Sequence, residues 1–269
     1  MSGMSAFSDM SMPIWSNGPA PGQFYNFPGG SSLQNRDMQF GFKGSFGSQR
    51  TSQPITTGTS VVGLKFHDGV VIAADTLVSY GSLARYTSID RVFKVNDYTI
   101  IGAGGDFADF QFLKQHIDQK IVDDIAFGDN YHMKPKSLYN WLMRVLYNKR
   151  SRFDPLWLDI VVGGMQDGEP FLGHINLRGR AYENNAIATG FGQHLAIPLF
   201  REYSENPQIV LNRDQALGLT KKVMEVLYYR DCRGFNKYTQ AIATAEGVKV
   251  EGPISVDQNW NVAHMVKGF

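Results

Sequence analysis

Residues 58–75 read GTSVVGLKFHDGVVIAAD. Two apolar, β-branched runs, 59–66 and 70–75, flank His67-Asp68-Gly69, and such runs around a glycine-bearing turn predict a hairpin. A second pair follows, 92–95 and 98–103, separated by Asn96-Asp97. Gly104-Gly105 then hands over to a helix expected to start near Asp106, with Phe110, Leu113, Ile117 and Ile121 on one stripe. In the next helix Leu138, Trp141, Leu142, Val145 and Leu146 occupy i, i+3, i+4, i+7 and i+8.

Strands resume at 158–165, 170–175 and 181–184, with turns at Asp167-Gly168 and Arg178-Gly179, a second meander. A short helix is expected over 193–203. A longer one starts with Asn212 and Gln215 in capping-box spacing and presents Leu219, Val223, Val226 and Leu227 for burial. Strands 238–244 and 248–254, joined at Glu246-Gly247, close the chain. The order is strands, two helices, strands, two helices, strands. It predicts an α+β fold, a four-layer αββα sandwich in which two antiparallel sheets pack face to face and a helix pair covers each outer surface. It is not the βαβ alternation of a doubly wound sheet, and no fixed-period repeat is present.

At 269 residues and 43% apolar content the chain can bury one substantial core. One folded domain, 51–269, is expected after an N-terminal segment, 1–50, rich in Gly, Ser, Pro, Asn, Met and Phe. The aromatics Phe7, Trp15, Phe24, Tyr25 and Phe27 leave two readings of that segment: docking on partner surfaces during assembly, or a disordered tail. The formal net charge is +1, 26 basic against 25 acidic residues, so no global field draws nucleic acid or an acidic membrane. The one dense basic run, Lys149, Arg150 and Arg152, reads as favourable charge at a helix C-terminus. A single cysteine, Cys232, excludes an internal disulfide and fits a reducing compartment, cytoplasm or nucleus. No apolar run approaches the roughly 20 residues of a membrane helix. The N-terminus has neither a secretory pattern nor the arginines of a transit peptide, since Asp9 is the only charged side chain before Arg36.

Six blocks belong together: 58–75, 79–85 (SYGSLAR), 102–105 (GAGG), 155–157 (PLW), 188–192 (ATGFG) and 228–233 (YYRDCR). Jointly they resemble proteasome beta-type subunits, members of the N-terminal-nucleophile hydrolases, and the likeness spans roughly residues 51–266. The YGSLAR and YYRD runs are similar to a non-catalytic type of beta subunit. The resemblance implies that Thr59 stands at the nucleophile position, Asp75 at that of the buried aspartate, and Arg91 where a catalytic lysine is required. Gly105 matches the glycine whose N–H donates to the oxyanion, and Asp231 matches a second aspartate. The serines expected near Phe191 and Gly234 are missing.

A threonine hydroxyl needs a neighbouring base, here its own free α-amine and a lysine amine. A guanidinium has five donors, no acceptor and a permanent charge, so Arg91 cannot take a proton. The expectation is a degenerate site in which Asp75 and Asp231 serve as structural acceptors, with Arg91 and Arg230 as partners. Cleavage between Gly58 and Thr59 would rely on the same disabled chemistry. The resemblance therefore places processing between Arg50 and Thr51, by a neighbouring active subunit, with 1–50 as a removed propeptide. It implies other beta subunits in the same and the opposite ring, alpha-ring subunits and assembly chaperones as partners, and no cofactor, metal, nucleic acid or membrane.

Other chemistries fit less well. The six histidines, at 67, 116, 132, 174, 194 and 264, show no metal-binding spacing. Cys232 beside Asp231 has no base supplied by any pattern, and 102–105 lacks the Gly-Lys-Ser/Thr of a phosphate loop. Two alternatives remain open: an active threonine endopeptidase using Thr59, and a self-standing binding protein on the same fold.

Overall fold

In the computed structural model, which describes residues 53–128, 132–206 and 208–261, the opening hairpin is enclosed from both sides. Only Lys65 of β2 (Val61–Phe66) is partly exposed, and every residue of β3 (Gly69–Asp75) is buried. Side chains alternate across a strand, so this pattern requires cover on both faces. Val62, Leu64 and Phe66 point into one apolar cluster with Phe200, Val223 and Leu227, whereas Val61, Val70 and Ile72 point into another with Ile100 and Val161. A third cluster joins Ile101, Ile160 and Val162 to Leu113, Ile117, Leu138 and Leu142. Three apolar layers between four layers of structure make the αββα sandwich that the element order predicts.

The remaining strands are β1 (Thr56–Gly58), β4 (Val78–Tyr80), β5 (Leu83–Tyr86), β6 (Val92–Asn96), β7 (Thr99–Asp106), β8 (Leu158–Gln166), β9 (Glu169–Asn176), β10 (Ala181–Glu183), β11 (Ala186–Ala188), β12 (Lys237–Thr244) and β13 (Gly247–Ser255). One sheet runs β10-β9-β8-β7-β1-β4-β5, with β6 also pairing β7, and the other runs β11-β2-β3-β12-β13. The pairings are antiparallel. The two early hairpins therefore part company: 61–75 joins the last hairpin in the five-stranded sheet, and 92–106 joins the 158–183 meander in the other.

Helices α1 (Phe107–Phe127) and α2 (Pro135–Ser151) cover the eight-stranded sheet, and α3 (Gly192–Leu195), α4 (Ile197–Ser204) and α5 (Arg213–Arg230) lie over the five-stranded one. The Asp106 carboxylate caps α1 by accepting from Ala108 N–H, and Gly128, in the left-handed region at φ 67°, ends it. The expected capping box on α5 is complete, with Asn212 accepting from Gln215 N–H and Gln215 accepting from Asn212 N–H.

Three expectations shift. The helix over 193–203 forms as two pieces, with a break ahead of Pro198, which has no N–H to continue the ladder. The buried stripe of α5 runs through Ala216, Thr220, Val223, Met224 and Leu227, leaving Leu219 and Val226 half-buried at its margin. The strand expected over 59–66 starts at Val61 and not at Thr59, because the carbonyls of Thr59 and Ser60 accept from a side chain, Arg91, in place of a ladder, and a short strand not expected from the sequence, β1, precedes it.

Candidate functional site

The residues singled out by resemblance meet at one end of the sandwich, where β2 begins and β3 and β7 end. The segment before Thr59 reaches it as a strand. β1 lies between β4 and β7, with Thr57 opposite both Ser79 and Asp106, and Gly58 opposite Gly105. Asp106 holds the lead-in to that strand: one oxygen caps α1 through Ala108 N–H at 2.8 Å, and the other accepts Ile55 N–H at 2.8 Å. A helix start and the N-terminal approach to Thr59 thus share one buried carboxylate.

Arg91 is 2% exposed and occupies the space beside Thr59. Its Nε donates to the Asp75 carbonyl at 3.0 Å. Nη1 donates to the carbonyls of Thr59, at 2.8 Å, and Ala103, at 3.5 Å, while Nη2 donates to the Ser60 carbonyl at 3.2 Å and to the Asp75 carboxylate. The guanidinium's capacity of five N–H donors is thereby matched by five acceptors. A Cβ added at Gly58 would sit 2.6 Å from Arg91 Cδ, so glycine there is what lets the long side chain pass.

Asp75 is 4% exposed. Its second oxygen accepts Phe235 N–H at 3.1 Å. Burial pushes this carboxyl up from the ordinary aspartate value, and the charge and hydrogen bond of Arg91 oppose that shift.

The Thr59 hydroxyl donates to Asp231 Oδ2 at 2.5 Å. Asp231 also accepts Arg233 N–H at 2.9 Å in the turn that ends α5. This corrects the expectation for Arg230: among the described residues the partners of Asp231 are the Thr59 hydroxyl and a backbone N–H, not that guanidinium. The space bordered by Thr59, Asp75, Tyr228, Asp231, Gly234 and Phe235 amounts to about 10 Å³, room for about one water.

Gly105 has φ +97°, and a Cβ there would lie 2.1 Å from the Trp157 carbonyl oxygen. Only glycine fits where β7 leaves the sheet for α1. Phe191, 57% exposed, stands just ahead of α3, and Gly234 packs under the end of α5 against the carbonyls of Leu227 and Asp231. Cys232 is exposed. Arg50, Thr51, the aromatics of 1–50 and His264 lie outside the described residues.

Sequence reasoning missed three supports. Ser60 Oγ accepts Gly192 N–H at 2.9 Å, and Thr189 Oγ1 accepts Val61 N–H at 2.9 Å, tying the start of β2 to the segment ahead of α3. The third is Asp106, whose position just before a helix was a legible cap signal, although its second bond was not. Chemically the arrangement orients the Thr59 hydroxyl but supplies no nitrogen base: Arg91 only donates, and the nitrogen of Thr59 is an amide while Gly58 is attached.

Comparison with known proteins adds the following. The profile of the family described as "Proteasome subunit" matches residues 55–243. Proteasome subunit beta type-4 of Drosophila melanogaster is 48% identical over 272 aligned residues, covering 99% of this chain and 100% of the relative. Its counterpart of the same name in Xenopus laevis is 47% identical, covering 94% and 98%. Proteasome subunit beta type-7 of Saccharomyces cerevisiae is 35% identical, covering 90% and 94%.

Proposed function

The chain belongs to the proteasome subunit family, and from that premise we propose that its own contribution is structural: it completes the wall of the proteolytic chamber without cutting peptide bonds itself. It is a beta subunit of the proteasome core complex, and it assembles with other proteasome subunits. It thereby serves the ubiquitin-dependent protein catabolism that the particle performs. The observation that carries the inert-site reading is the buried Arg91, which has spent its donors on Thr59, Ser60, Asp75 and Ala103. A residue in that state holds the backbone around the hydroxyl and cannot receive its proton.

The same reading assigns neighbours in its own ring, in the opposite ring and in the alpha ring, with chaperones during assembly. It places the subunit in cytoplasm and nucleus. The propeptide 1–50 is cut between Arg50 and Thr51 by another subunit, which leaves Thr59 amide-bonded. Assembled particles treated with a threonine-directed electrophile test this directly. Peptide mapping should find Thr59 unmodified and intact mass should place the mature start at Thr51. An adduct on the Thr59 hydroxyl, or a mature chain that begins there, overturns the proposal in favour of an active peptidase.

A further inference from the structure

The near-zero net charge hides an uneven surface. In sequence the basic run at 149–152 reads as helix-end charge, but the fold brings a second basic segment against the same helix. The β9–β10 turn closes on α2 so tightly that a Cβ on Gly179 would lie 2.7 Å from Tyr147 Cβ and 2.9 Å from its Cα. Gly179, at φ +75°, takes a conformation that suits glycine. Asn176 shapes the turn: its side-chain oxygen accepts the N–H groups of Arg178 and Arg180, both at 3.0 Å, and its own N–H donates to the Arg180 carbonyl at 3.0 Å. Arg178 and Arg180 therefore leave a defined backbone on either side of the contact with Tyr147.

On the helix, Arg144 and Arg150 lie three residues before and three after Tyr147, so that each neighbours the tyrosine along the helix surface. All four arginines are exposed, and Tyr147 is 53% exposed. The Arg150 guanidinium lies 6.0 Å from the Tyr147 ring centroid. Two acids of the region are engaged elsewhere, Asp154 with Lys149 at 3.1 Å and Glu183 with Lys136 at 3.3 Å, while Asp159 lies 3.5 Å from the buried His174 without a hydrogen bond to it. Among the described residues none of the four arginines forms an ion pair.

Arg180 lies over the neighbouring Tyr182 ring, 5.6 Å from its centroid, and permanent like charges gathered on one face repel one another until counter-charge arrives. Arginine and tyrosine are also the side chains that anchor interfaces, and a guanidinium fork matches a carboxylate with two parallel hydrogen bonds. We propose that this face, Arg144, Tyr147 and Arg150 of α2 with Arg178 and Arg180 of the turn, docks an acidic segment of a partner protein. Carboxylates of that segment sit on the forks, and an apolar side chain lies on Tyr147. A protein segment fits better than nucleic acid because the chain's pI is about 7.8, whereas nucleic-acid-binding domains typically lie above about 9. The inference holds whether or not Thr59 is inert.

The test uses the full chain and fluorescein-labelled deca-glutamate, followed by anisotropy at low and high salt. Binding should saturate, weaken with salt, and fall at least about tenfold when Arg144→Ser, Arg150→Ser, Arg178→Ser and Arg180→Ser are combined, as expected when forked charge pairs are lost. A matched variant with Arg201→Ser, Arg213→Ser, Lys221→Ser and Lys222→Ser should bind like the parent. Should the first variant misfold by circular dichroism, the helix-compatible pair Arg144→Gln with Arg150→Gln replaces it, with a loss of about threefold expected. Absence of saturation, equal loss in the matched variant, or stronger competition by a single-stranded oligonucleotide than by unlabelled deca-glutamate overturns the proposal.

Discussion

Replacing Arg91 by methionine keeps a long, flexible, apolar stem and removes only the guanidinium. The change strands the Asp75 carboxylate, 4% exposed, with Phe235 N–H as its one remaining hydrogen-bond donor. It also leaves the carbonyls of Thr59, Ser60, Asp75 and Ala103 without their side-chain donor. Removing one member of a buried ion pair costs about 3–5 kcal/mol, because a charge is left without compensation. In a domain of about 150–250 residues each kcal/mol moves the melting temperature by about 2–4 °C, so Arg91→Met should melt roughly 6–20 °C below the parent. Scanning calorimetry of the full-length chain reads this, with urea denaturation as a check that the slope is unchanged. The second arm is Asp75→Leu combined with Arg91→Met, which removes both charges and should recover a large part of the loss. If Arg91→Met melts within about 2 °C of the parent, or if the double variant is no better than the single, Arg91 does not act as the internal brace described above.

Gly105→Ala forces a Cβ onto the Trp157 carbonyl at a positive φ, so soluble yield should collapse or stability should drop by more than about 3 kcal/mol; parent-like yield and melting argue against the turn geometry. Thr59→Val removes the hydroxyl bond to Asp231 and should cost about 1 kcal/mol while leaving peptide hydrolysis by assembled particles unaltered, as fluorogenic substrates would report. Asn212→Ala dismantles the capping box on α5 and should cost about 1 kcal/mol in denaturant titrations. Burial raises the Asp109 carboxyl above its ordinary value, against the Trp157 N–H that it accepts. Its protonated form is therefore favoured by folding, so this contribution is present at low pH and is lost as pH rises through the raised pKa. Asp109→Asn should flatten that segment of the stability–pH curve, and an unchanged curve contradicts the assignment.

Much of this molecule could be read from local pattern. The 61–75 hairpin, the stripe Leu138, Leu142 and Leu146 and the Asn212–Gln215 box each depend on neighbours within a few residues, and each forms. What stayed illegible depends on distance along the chain. β1, β4 and β11 have three residues apiece, too few to display an alternation, and their partners are set by packing elsewhere. Nor does any local signal tell the 92–106 hairpin to leave the sheet of the 61–75 hairpin. At the site, the unsuitability of Arg91 as a base followed from its chemistry alone. The identity of its acceptors, from residues 59, 60, 75 and 103, needed the fold.

In the sheet order, among the described residues, Thr56–Gly58 is the only rung between β4–β5 on one side and β7 with the meander on the other. Severing the chain at Gly58–Thr59 and letting that rung diffuse away would strand β4–β5 as a lone ribbon, and two isolated strands are marginal in water. Thr56–Gly58 thus works as a keystone wherever it stays attached. On the proposed reading, in which Gly58 stays joined to Thr59, the same bond that masks the threonine also fastens the two halves of this sheet together.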